Sequence, residues 1–266
     1  MGFLGHARAL RTAIFACGFA CGLAVISPAT HAAAATLQIA GSLALATEPA
    51  EPFGLSASRI YWGGILAKWL GVLQRLEDEQ VQLALCDGDR ERCASEAALQ
   101  FLAIVDSGRQ RDGRARLGEI NRAVNLSIRP MSDLAQFGEI DVWSSPLVTF
   151  TRGAGDCEDY AIAKYVALRM AGIPAEDLRL VVMVDVRGEG HAVAAARLDG
   201  HWLILDNRRM AMVEDVSVRN YRPLFVIDQS GVMKYSDAPL LAQMPDHDAT
   251  PASAQAPAPG EIAAAD

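Results

Sequence analysis

Hydrophobic residues change their period once along this chain, and that change limits the fold more than any other feature. Trp62, Ile65, Leu66, Trp69, Leu70, Leu73 and Leu76 recur at intervals of three and four, the spacing of one face of an amphipathic helix. A second helix is expected after Ser95 as N-cap, burying Ala98, Phe101, Leu102 and Val105. A third carries Leu117, Ile120 and Val124, and Arg129-Pro130 ends it because proline disfavours helical backbone in the residue before it. Residues 141–150 read as an extended segment broken at Ser145-Pro146, and a further helix runs from Cys157 to about Ala171, where Gly172-Ile173-Pro174 stops it. Beyond it the apolar runs are short and dense: 178–186, 191–198, 201–206, 223–227 and 232–235. Asp199-Gly200 is a strong two-residue hairpin signal between the second and third of these runs. Helices first and an antiparallel sheet afterwards define an α+β domain.

The ends of the chain have a different character. Arg8 and Arg11, the apolar run 13–26 and the small residues around Thr30-His31-Ala32 are the three parts of a secretory signal, so residues 1–33 are expected to be removed. The apolar run falls short of the roughly 20 residues a membrane-spanning helix needs, and an exported, unanchored product is expected. Residues 34–56 read as a flexible leader, 57–244 as the folded domain, and 245–266, rich in Pro, Ala, Asp and Ser, as a disordered tail. A net charge of -8 without a long Lys/Arg run argues against nucleic acid as a partner.

Outside the signal three cysteines remain, Cys86, Cys93 and Cys157, in a compartment that favours disulfides. Three cannot all pair. Cys86 and Cys93 enclose a polar, turn-like stretch and suit a small disulfide loop between two helices, which leaves Cys157 as a reactive thiol or an inert buried one. Cys157 opens its helix behind Asp156 as N-cap, where the helix field favours a thiolate and first-turn N–H groups face a developing oxyanion.

The hairpin supplies partners for that thiol. With Asp199 and Gly200 as the loop, Leu198 faces His201 and Val193 faces Asp206, so His191 and Asp206 become diagonal neighbours on one face, roughly 7–8 Å apart between backbones. This is the arrangement in which a carboxylate orients an imidazole base. His201 flanks the turn and reads as a solvated residue. The acids Asp156, Glu158 and Asp159 oppose ionisation of the neighbouring thiol. A hard cation such as calcium, held by those oxygens, would remove the conflict; acids also favour the first turn of any helix, and spacing alone leaves the two readings equal. Zinc does not suit a Cys-His-Asp set at these spacings.

The run Gly155-Asp156-Cys157-Glu158-Asp159-Tyr160-Ala161-Ile162-Ala163-Lys164-Tyr165 resembles the bacterial transglutaminase-like cysteine proteinases, whose best-understood members are the LapG-type periplasmic adhesin proteases. The resemblance extends from about Asn121 through Trp143-Ser144-Ser145-Pro146, Leu178-Arg179-Leu180-Val181, Gly190-His191-Ala192-Val193 and Leu205-Asp206-Asn207. It implies a papain-like or transglutaminase-like fold, a Cys157/His191/Asp206 triad, and calcium held next to the cysteine by Asp156, Glu158 and Asp159. It further implies a periplasmic endopeptidase that cuts a large surface adhesin near its N-terminus, controls biofilm attachment and is restrained by an inner-membrane receptor for cyclic di-GMP. The same triad serves transglutaminase-type acyl transfer, and a non-catalytic calcium-dependent binding protein on this scaffold is the alternative of another class.

Overall fold

A computed structural model describes residues 50–236 and Leu241; the signal sequence and the tail expected above lie outside the described residues. A 25-residue helix, α1 (Gly64–Gly88), is followed by α2 (Glu96–Arg109) and α3 (Gly113–Ser127). The Ser95 hydroxyl caps α2 by accepting from the Ala98 N–H at 3.2 Å, and Cys86 and Cys93 are joined as a disulfide that ties the end of α1 to the start of α2.

α1 packs most of the stripe its apolar spacing suggests, with Trp69 buried and Ile65, Leu66, Leu73 and Leu76 against the core, but not its whole length. Trp62 precedes the helix and is 85% exposed, and Leu70 is 53% exposed. The buried residues are Trp69, Val72, Glu79, Leu83 and Cys86. The stripe continues through a carboxylate, which hydrophobic counting passes over. Glu79 is tolerated there because it accepts from the Ser145 hydroxyl at 2.5 Å and the Leu147 N–H at 3.1 Å. Ser145 and Leu147 flank the start of a helix that replaces the second half of the extended segment expected at 141–150. Pro146 opens that helix, since its fixed φ suits the first helical position and no N–H is needed there.

The strands are β1 (Ala57–Arg59), β2 (Arg129–Pro130), β3 (Ala154–Gly155), β4 (Leu178–Asp185), β5 (Gly190–Leu198), β6 (His201–Leu205), β7 (Val213–Glu214), β8 (Tyr221–Asp228) and β9 (Gly231–Tyr235). The later helices are α4 (Asp133–Phe137), α5 (Pro146–Arg152) and α6 (Cys157–Met170). Seven strands form one antiparallel sheet in the order β1-β9-β8-β4-β5-β6-β7, while β2 and β3 pair in parallel as a separate two-residue ladder.

Strand alternation divides the interior into two layers. Leu178, Leu180, Ala192, Ala194, Ala196, Leu203 and Leu205 face the helices, and Val181, Met183, Val193, Ala195, Trp202, Ile204 and Val226 face a second core closed by Phe53, Leu55 and Tyr235. The small Ala192, Ala194 and Ala196 leave room for α6 to lie close against β5. Residues 50–56, placed in the flexible leader above, are held on the sheet. The Trp202 indole N–H donates to the Ala50 carbonyl at 2.8 Å, and Arg179 makes a two-pronged ion pair with Glu51 at 2.6 and 2.9 Å. Among the described residues no helix is long and apolar enough to cross a membrane.

Candidate active site

The site is built at the N-terminus of α6 and the open end of the β5–β6 hairpin. Hairpin register follows the two-residue loop, with Leu198 opposite His201, and pairing ends at Ala194 opposite Leu205. One step further, His191 Nε2 lies 3.0 Å from Asp206 Oδ1. The same carboxylate oxygen accepts from the Arg208 N–H at 2.9 Å. Burial alone would raise the Asp206 carboxyl, but the hydrogen bonds and charge of His191, with Arg208 and Lys164, outweigh it and hold the group below its ordinary value. His191 is 2% exposed and its Nδ1 is buried without a partner. With the Nε2 proton directed to Asp206, Nδ1 is the free base of the ring.

Tyr221 and two asparagines complete the surroundings, and nothing in the linear spacing points to them. The Tyr221 ring stacks on His191 with centroids 5.6 Å apart, and its hydroxyl accepts from the Arg208 guanidinium at 2.9 Å. On α3, Asn125 donates to the Asp206 carbonyl at 3.1 Å and Asn121 to the Met210 carbonyl at 3.0 Å, clasping the loop that follows Asp206. His201 is exposed at the hairpin turn, apart from this group. Trp143 is a core residue, 7% exposed, whose indole N–H donates to Asp141 at 3.0 Å.

Cys157 is the free thiol among the described residues and is partly buried. The Ala192 backbone, one residue beyond His191, favours the thiolate. Desolvation and the Glu158 and Asp156 carboxylates prevail against it and push the thiol well above its ordinary value. Its hydrogen bond goes to Glu158 Oε2, 3.0 Å away, rather than to His191.

The acids around Cys157 divide into two groups. Asp159 is 1% exposed and spends both oxygens on backbone, accepting from the Ser144 N–H at 2.9 Å and the Asp156 N–H at 3.4 Å. Gly155 allows this, because a Cβ there would stand 2.8 Å from the Asp159 Cβ. Asp156 and Glu158 instead gather with Asp133, their carboxylate oxygens lying within 4.8 Å of one another. Asp133 is not suggested by the sequence, since it is far away along the chain and no motif marks it. The parallel β2–β3 ladder delivers it: Pro130 is opposite Gly155, and the Met131 N–H donates to the Gly155 carbonyl at 2.9 Å. Asp133 follows three residues after Pro130, and Asp156 follows Gly155.

This trio has the chemistry of a site for a hard divalent cation. One Asp133 oxygen takes the Val142 N–H at 2.5 Å, while its other oxygen and Asp156 Oδ1 are buried without partners. Two oxygens bound to one calcium-sized ion are at most about 5 Å apart, so the spacing fits. Desolvation first, then mutual repulsion, pushes Asp156 up to about 6 and Glu158 up to about 8. Such a cluster needs protons or a cation to be stable.

Among solved structures the chain is similar to Legionella pneumophila LapG in a calcium-bound form, at 23% identity and TM-score 0.47 over 52% of this chain and 78% of that one. It is also similar to Legionella pneumophila LapG at 21% identity and TM-score 0.49, over 58% and 86% of the two chains, and to an EGTA-treated form at 21% and 0.49, over 58% and 84%. No curated protein sequence matches it. The family model for bacterial transglutaminase-like cysteine proteinases matches residues 81–235, more than half of the chain. On that match the chain belongs to the bacterial transglutaminase-like cysteine proteinase family.

Proposed function

We propose that this proteinase is an exported, periplasmic, calcium-dependent cysteine endopeptidase with Cys157 as nucleophile, His191 as base and Asp206 as the residue that orients the base. The observation that carries the proposal is the His191–Asp206 pair at 3.0 Å with Nδ1 left without a partner, on β5, the strand against which the helix opened by Cys157 packs. His191 Nδ1 accepts the thiol proton, Cys157 Sγ attacks a peptide carbonyl, and first-turn N–H groups of α6 hold the oxyanion. The protonated imidazole, stabilised by Asp206, returns its proton to the leaving amine. Water then cleaves the thioester.

Asp133, Asp156 and Glu158 would hold calcium, whose positive charge offsets the carboxylates that oppose thiolate formation. Glu158 committed to a cation no longer competes for the thiol hydrogen, which leaves His191 as its acceptor. Asp159, bound to backbone on both oxygens, is a brace for the site in this reading.

As substrate we propose a large surface adhesin cut near its N-terminus, with biofilm attachment as the process controlled and an inner-membrane cyclic di-GMP receptor as the restraint. The support is the family membership and the resemblance of the Gly155–Tyr165 run to LapG-type proteases. Co-expression of the chain with an N-terminal adhesin fragment tests it. Cleavage is expected from the natural chain, none from Cys157→Ala, and loss in a chelator with recovery on adding calcium. Cleavage by Cys157→Ala would remove Cys157 from the mechanism, and indifference to chelation would remove calcium.

A further inference from the structure

Lys164 is buried to 0% exposure in the middle of α6. Cys157, Ala161, Lys164 and Leu168 follow one another at intervals of four, three and four, so the lysine lies on the cysteine's own helix face two turns further on. Its neighbours on that face, Ala161 and Leu168, are buried apolar residues. A methionine or leucine would fill this place without the cost of desolvating an amine.

The geometry explains what the amine does there. Asp206 lies beyond the last β5–β6 pair, Ala194 opposite Leu205, and beyond the β6–β7 pairs at Leu203 and Ile204, so the sheet itself does not fix it. Lys164 Nζ donates to the Leu205 carbonyl at 3.2 Å, immediately before Asp206, while Asn125 donates to the Asp206 carbonyl at 3.1 Å. We propose that Lys164 is a positioning residue for the triad: it pins the Leu205–Asp206 peptide and lends positive charge to the Asp206 carboxylate, so that His191 is held in the orientation that leaves Nδ1 free. Burial pulls the amine down to about 7, and Asp206 pushes the other way. Asp206 also receives His191 and the Arg208 N–H, so three donors or charges converge on this one strand end.

The inference rests on the triad assigned above, and its test separates the two. The calcium-saturated full chain and its Lys164→Met, Lys164→Gln and His191→Ala variants are alkylated with iodoacetamide. Modification of Cys157 is followed by peptide mass spectrometry. The low-field NMR resonance of the His191 Nε2 proton is recorded alongside. Lys164→Met is expected to slow alkylation about tenfold or more and to displace the resonance without lowering Tm. Lys164→Gln, which keeps an N–H donor without the charge, is expected to slow it less. If the methionine variant does not fold, the glutamine variant carries the test with the same expected displacement. A natural alkylation rate and an unmoved resonance in folded Lys164 variants overturn the inference, as does a slowing that only tracks lost folded protein. A natural rate in His191→Ala overturns the triad instead.

Discussion

Asp156, Cys157, Glu158 and Asp159 are consecutive, yet their side chains meet different partners because a helix N-terminus turns each through about 100°. Asp156 and Glu158 point to Asp133, whereas Asp159 points back at the Ser144 and Asp156 amides. Asp133→Asn is therefore expected to weaken calcium binding, measured by calorimetry, as much as Asp156→Asn does. Asp159→Asn is expected to keep most of the affinity but to destabilise the fold by about 1–3 kcal/mol, because it disturbs buried amide partners. If Asp159→Asn instead loses calcium while Asp133→Asn does not, the assignment of the cluster fails. Asp206→Asn is expected to slow peptide cleavage by a factor on the order of 10³, since an amide no longer stabilises the imidazolium. His191 and Asp206 are legible in the sequence because a two-residue turn fixes the hairpin register and register fixes faces. Asp133 is not, because a two-residue parallel ladder has no signature in composition or spacing.

Among the elements, strands and caps are the readable part. The turn at Asp199-Gly200, the Ser95 cap and the Arg129-Pro130 stop each rest on local chemistry, and each lies where that chemistry places it. α1 departs from expectation at Trp62 and Leu70 because its face is chosen by what packs against it, and one of the chosen residues is Glu79. The buried Glu79 carboxyl is raised by desolvation and kept in place by Ser145 and the first amides of α5, the helix that leads through Gly153 to β3 and the site. Glu79→Ala leaves those groups unpaired. It is expected to cost about 1–3 kcal/mol in urea unfolding, with a cost within experimental error contradicting the capping role. Opening the Cys86–Cys93 link by the double serine substitution is expected to cost about 2 kcal/mol in the same experiment, from the entropy returned to a short loop in the unfolded chain. Activity per folded molecule is expected to stay unchanged, because the link lies at the α1–α2 junction.

For the molecule as a whole, the acidic cluster couples stability, pH and metal. Asp156 and Glu158 have ordinary values of 3.8 and 4.5, and in the folded chain they stand at about 6 and about 8, raised by burial and then by repulsion. Between these limits the folded chain holds protons that the unfolded chain has released. Stability without a cation therefore falls as pH rises through that window. A bound cation replaces the protons, so the rise in Tm on adding calcium is expected to be small near about pH 5 and largest near about pH 8. A calcium-induced rise that does not change with pH would contradict this coupling. The central claim is that a cation on Asp133, Asp156 and Glu158 converts Cys157 from a thiol bonded to Glu158 into a thiolate served by His191. It is tested most directly by the pH dependence of iodoacetamide alkylation at Cys157, measured with calcium and with a chelator. The account predicts that calcium moves the alkylation midpoint to lower pH by at least about one unit; superimposable curves in the two conditions would contradict it.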